Sequence, residues 1–126
     1  MNRARRMIRP GKLQAPKIRN LTLATRDVAA KAADLLEEGE SWTQGVEALD
    51  RKGEACSPEH RHAMAWSATG AIKREAHEAW DDLAGGKALE LANKLAGGLE
   101  DFNDSSGRTR EEVVGLLRQV DFTLRE

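Results

Sequence analysis

The chain has 126 residues, 40% hydrophobic and 33% charged, a formal net charge of −1 and one cysteine, Cys56. That length and balance suit one globular domain and exclude a disordered chain or a disulfide-stapled secreted fold. No apolar run reaches the roughly 18 residues of a membrane helix, and the N-terminus lacks the apolar stretch of a secretory signal. The near-zero charge conceals a split. Residues 1–20 hold seven Lys/Arg and no acid (+7), while the rest holds 13 Lys/Arg against 21 Asp/Glu (−8). Aromatics are only 4% of the chain, so Ala and Leu must fill most of the core, and both favour helix.

Residues 1–20 contain Pro10, Gly11 and Pro16 and show no period, which predicts an extended basic arm followed by one helical domain over 21–126. An organelle address is Arg-rich too, but this segment lacks Ser and is broken by those prolines. A bacterial or phage cytoplasmic setting is expected. A first helix is predicted over about 25–38, with Thr25 as cap and Val28, Ala32, Leu35 and Leu36 on one face. Residues 42–56 lose that period and carry the turn signal Asp50-Arg51-Lys52-Gly53, so a small β-hairpin-like insert is expected there. Ser57-Pro58-Glu59 reads as the start of a central helix over 58–74, uncharged from Ala63 to Ile72. Leu83-Ala84-Gly85-Gly86 recurs as Leu95-Ala96-Gly97-Gly98, and the glycine pairs are expected to bound a short helix over 87–96. Residues 99–107 read as a loop that has room for a short turn of helix. Thr109 and Glu112 then form a capping box for a last helix striped by Val113, Leu117, Val120 and Leu124. The fold expected is mainly α: four to five helices around a central helix 58–74, with a small hairpin-like insert at 42–56.

Three segments carry a family resemblance: Ala33-Asp34-Leu35-Leu36-Glu37 followed by Trp42-Thr43-Gln44-Gly45; Trp66-Ser67-Ala68-Thr69-Gly70-Ala71; and Phe102-Asn103-Asp104-Ser105-Ser106-Gly107-Arg108-Thr109 with Glu111-Glu112-Val113. Over about 27–120 the chain resembles the small bacterial and phage family called domain of unknown function 6197. The family pattern favours Cys where Ser67 stands and Trp where Phe102 stands, which removes thiol chemistry at Ser67. The resemblance implies an architecture and a bacterial or phage setting, and no activity. The basic arm lies outside it.

Candidate chemistry is sparse. Asn103, Asp104 and Arg108 put an amide, a carboxylate and a guanidinium beside a Gly-containing turn, a set that suits a polar ligand in a small binding domain or enzyme, with Trp66 and Ser67 expected nearby. The same residues equally suit hydrogen bonding within their own loop. His77 and Asp81 share a helix face, but no nucleophile accompanies them, and a solvated pair is the simpler reading. His60 and His62 point apart if helical, and with Cys56 they do not match a zinc spacing. Gly86-Lys87 lacks the earlier glycine and the Ser/Thr of a P-loop. No catalytic residue, metal or cofactor is expected. Arg3, Arg5, Arg6, Arg9 and Lys12 of the arm are the expected partner-binding residues, for a protein or another acidic surface. The arm suits nucleic acid as a second possibility, although it has no aromatic residue to stack on bases. Whether it grips its own acidic body or another molecule is left open by charge alone.

Overall fold

A computed structural model describes residues 20–125. The arm, and with it Arg3, Arg5, Arg6, Arg9 and Lys12, lies outside the described residues apart from Asn20. The elements run α1 (Leu21–Glu37), β1 (Ala48–Asp50), β2 (Ala63–Trp66), α2 (Ala68–Glu78), α3 (Asp82–Ala96), α4 (Leu99–Asp104) and α5 (Arg110–Thr123). The chain is mainly helical with a small two-stranded antiparallel insert, as its composition and periodicity predict.

α1 begins four residues before Thr25, because Asn20 supplies the cap: its side chain accepts a hydrogen bond from Leu23 N. Thr25 is buried inside the helix and donates to Leu21 O at 2.7 Å. Ala24, Val28, Ala32 and Leu36 make the buried stripe, and α1 packs on α5, α2 and α3. Alanine fills most of the contact faces, including Ala29, Ala33, Ala71, Ala84, Ala88 and Ala92, so the helices approach closely. Gly85 marks a tight approach of α3 to α2: a Cβ there would lie 2.5 Å from that of Ala76.

The helix expected over 58–74 does not start at Ser57. Ala63–Trp66 is a strand that pairs antiparallel with β1, Leu49 opposite Ala65, with an irregularity between Leu49 and Asp50. Its residues are buried at Ala63, Ala65 and Trp66 and exposed at Met64, so the uncharged run that reads as helix is half strand. Ser67 takes the cap instead, its Oγ accepting from Gly70 N at 3.0 Å. Ser57-Pro58-Glu59 forms a turn, with His60 N donating to Ser57 O. The turn at 50–53 is present, but beyond it Leu49 meets Ala55 only in an isolated bridge. The partner of β1 is β2, 13 residues past the turn's Asp50, because the alternating pattern of 63–66 buries one face and the segment 54–56 cannot.

Two further boundaries differ from expectation. α3 runs through Gly85-Gly86 and starts at Asp82, capped by Asp81, whose carboxylate accepts from Ala84 N at 3.0 Å. The first glycine pair is a packing feature, while the second, Gly97 at φ +71° and Gly98 at φ +115°, ends the helix. Within the segment 99–107 the short turn of helix is present as α4, longer than the loop reading implied and anchored by Asn93, whose side chain accepts from Leu99 N at 2.7 Å. The capping box of Thr109 and Glu112 is present as predicted. Among the described residues no helix is long and apolar enough to cross a membrane.

Candidate functional site

The residues singled out at 103–108 lie where α4 ends, and the segment after α1 folds onto them. Asn103 is the centre, at 1% exposure. Its Oδ1 accepts from Trp42 Nε1 at 2.8 Å and from Ala68 N, the first residue of α2, at 2.9 Å. Its Nδ2 donates to Thr43 O at 3.1 Å and to Asp104 Oδ1 at 2.8 Å. An amide side chain has two donor and two acceptor positions, so Asn103 is saturated. Asp104 Oδ1 also accepts from Gly45 N at 3.0 Å, and Gln44 Nε2 donates to Asn103 O and Ser105 O. The Trp42–Gly45 strip, the start of α2 and the end of α4 are thus held by one buried amide.

Asn103 and Asp104 share a cavity of about 140 Å³ with Gly45, Val46, Glu47, Ser67 and Glu100. Arg108 and Trp66 are not among its lining residues. Arg108 lies over the Phe102 ring at 3.8 Å, donates from Nε to Phe102 O at 2.7 Å and reaches Glu112 at 3.4 Å. Trp66 faces the other way, its indole N–H donating to Pro58 O at 3.0 Å with Arg74 over its ring. The four residues therefore do not converge: two are braces on one cavity and two are engaged elsewhere. The adjoining groove, about 400 Å³, is lined by Glu47, Thr69, Lys73, Leu89 and residues 98–101 among others. There Lys73 Nζ lies 2.9 and 3.1 Å from the two oxygens of Glu47. Ser67 Oγ accepts from Gly70 N as the α2 cap, and among the described residues it makes no hydrogen bond to a His or a carboxylate that would activate the hydroxyl.

The histidine and cysteine candidates also resolve into local contacts. His60 Nδ1 accepts from His62 N at 3.0 Å, and His62 Nδ1 meets Arg51 Nη2 at 2.5 Å. Burial pushes the Cys56 thiol up, away from the thiolate that a metal requires. Among the described residues there is no group of three or more His, Cys, Asp or Glu placed to hold a metal ion. His77 and Asp81 are separated by a break in the chain path. α2 ends at Glu78, Trp80 takes φ +55°, and Asp81 turns to cap α3.

Trp80 is the residue that sequence reasoning missed. It is 94% exposed in a left-handed conformation that bulky residues rarely adopt. The signal for the break was Asp81-Asp82, a cap and an acidic first turn directly after the tryptophan. Glu47 and Glu100 were missed as cavity residues because only the tertiary fold brings the residue before β1 and the start of α4 together beside Ser67.

No curated protein and no solved structure matches the chain. One family model does, over residues 21–121, from the first residue of α1 to the pairing partner of Arg26 in α5, and it leaves out the basic arm. With four-fifths of its length inside that match, the chain belongs to the family of unknown function DUF6197.

Proposed function

We propose that this protein is a non-enzymatic interaction module, an accessory protein of a bacterium or phage, which docks a partner through its basic arm. The observation that carries this reading is the charge split, +7 in residues 1–20 against −8 in the rest. Segregation of that size serves electrostatic docking, where long-range attraction speeds encounter with an acidic surface. Arg3, Arg5, Arg6, Arg9 and Lys12 are the contact residues. The occupied state of Asn103, Asp104 and Arg108 supports the reading, because each is already committed to the protein's own loops. The partner is a protein with an acidic patch, since the arm has no aromatic residue for base stacking and the acidic body repels phosphate.

The test is affinity capture from host lysate with the full chain and with R3Q/R5Q/R6Q/R9Q, each at low and high salt. A single partner identified with the wild type is expected to be lost with the variant and with salt. Equal recovery by both proteins refutes the reading. A salt-dependent shift of duplex or single-stranded oligonucleotides by the wild type would move the assignment to nucleic acid.

A further inference from the structure

Trp80 places an indole in water in a strained conformation, at a turn where Gly or Asn would serve the backbone better. From it the exposed surface continues onto α3 as a mixed face, apolar at exposed Leu83 and half-buried Leu91 and charged between and beyond them. Leu83 is 67% exposed, and Leu83, Lys87, Glu90, Leu91 and Lys94 recur at the spacing of one helix face. At its far end this stripe meets the start of α1. Lys87, Glu90, Leu91 and Lys94 line a cavity of about 250 Å³ with Leu21, Thr22, Thr25 and Leu124. Leu21 is the first residue of α1, so the arm joins the body at this cavity.

Carboxylates gather at the Trp80 end: exposed Glu78 in the last turn of α2, Asp81 at the α3 cap, and exposed Asp82 beside it. Arg74 is the nearby cation and lies 3.4 Å from Glu78. Along the stripe Lys87 is paired with Glu90 at 3.3 Å, and Lys94 stands at the arm's point of entry. The stripe from Lys94 to Leu83 is about 16 Å long at 1.5 Å per residue, a span that about five extended residues cover. Nineteen residues precede Asn20. The apolar Ile18 and Leu13 thus fall within reach of the Leu91 to Leu83 stripe, and the arginines at 3–9 within reach of the Trp80 turn.

We propose that the outer face of α3 and the Trp80 turn are a docking surface for an arginine-rich, acid-free segment, and that its occupant in the free protein is this chain's own arm. An arginine stacks on the Trp80 indole while its neighbours pair with Glu78 and Asp82, a combination that guanidinium groups favour over other cations. The inference rests on the arm being a docking element and adds where it sits before a partner competes for it.

Trp80 reports on its own occupancy. Acrylamide quenching of the full chain, with the signal of W80F subtracted, isolates its emission from Trp42 and Trp66. At low ionic strength Trp80 is expected to be quenched several-fold less than at about 1 M salt, where the screening length falls to about 3 Å. The variants R3Q/R5Q/R6Q/R9Q and E78Q/D82N are expected to show the fully quenched state at all salt concentrations, with unchanged circular dichroism. Equal quenching of wild type and both variants at low salt overturns the proposal. Protection that vanishes on dilution together with a dimer overturns the occupant, because the arm would then belong to a second copy. If Trp80 is open but partner capture still depends on the arginines, this docking surface fails while the interaction function stands.

Discussion

Asn103 is the residue on which the binding-site and bracing interpretations of the 103–108 segment diverge. All four of its side-chain hydrogen bonds go to the protein, and removing the amide leaves Trp42 Nε1 and Ala68 N without a partner. N103A is therefore expected to destabilise by about 3–4 kcal/mol, a large part of a typical domain's stability. Urea unfolding measures this; a loss under 1 kcal/mol would return Asn103 to the ligand-binding candidates. Gly70 is constrained just as tightly from another direction. A Cβ on it would lie 1.9 Å from Glu47 O, so α2 and the residue that leads into β1 cannot keep their spacing with any other residue. G70A is expected to cost about 2–4 kcal/mol, read from the same denaturation curves. In the sequence Asn103 suits a polar ligand or its own loop; its role as a buried brace is not legible there, because its partners lie 35 and 61 positions away.

The elements were legible where local chemistry is self-sufficient. Thr109 and Glu112 specify the start of α5 within four residues, and T109A is expected to cost about 1 kcal/mol by thermal or chemical unfolding. The segment 58–74 shows the opposite case. Its Ser-Pro-Glu start and uncharged run satisfy every local rule for a helix, yet 63–66 becomes a strand because β1 needs a partner and Trp66 needs the Pro58 carbonyl. Gly85-Gly86 is a related case: a glycine pair matches the local signal for a helix end, while Gly85 lets α3 approach Ala76. The turn between α2 and α3 bears a cost that neither helix requires. With the arm's arginines replaced so that docking does not contribute, W80N is expected to raise the thermal midpoint or leave it unchanged, because Asn accepts the left-handed conformation more readily. A clear drop would show that Trp80 packs against the body.

At the scale of the whole molecule, α1 and α5 are locked by ion pairs as well as by their apolar stripes. Arg26 lies 2.9 Å from Asp121, and Arg118 lies 2.8 Å from both Asp34 and Glu37. The hydrogen bond from Arg26, joined by Arg125, holds the Asp121 carboxyl below its ordinary range despite burial. A lowered carboxylate stabilises above its unfolded value, and that contribution is lost as pH falls through the folded one. D121N is therefore expected to lose about 1–2 kcal/mol near neutral pH and to lose less than the wild type on acidification, measured by urea titrations across pH. Glu75 has the opposite sign. Burial, with help from Glu78, pushes its carboxyl up, so in the pH window between its unfolded and folded values the folded chain holds a proton that the unfolded chain releases. Stability falls as pH rises through that window, and E75Q is expected to flatten the slope and to be at least as stable as wild type at neutral pH.

What the sequence by itself determined is the helical class, the capping box, the turn at 50–53, the family and the charge split between residues 1–20 and the rest. Each follows from neighbours in the chain or from composition. Only the tertiary structure decided that β1 pairs with β2, that Asn103 is a brace, and that Trp80 stands exposed at the head of the α3 stripe. Those depend on contacts between distant positions, where a buried hydrogen bond or a missing Cβ outweighs local propensity.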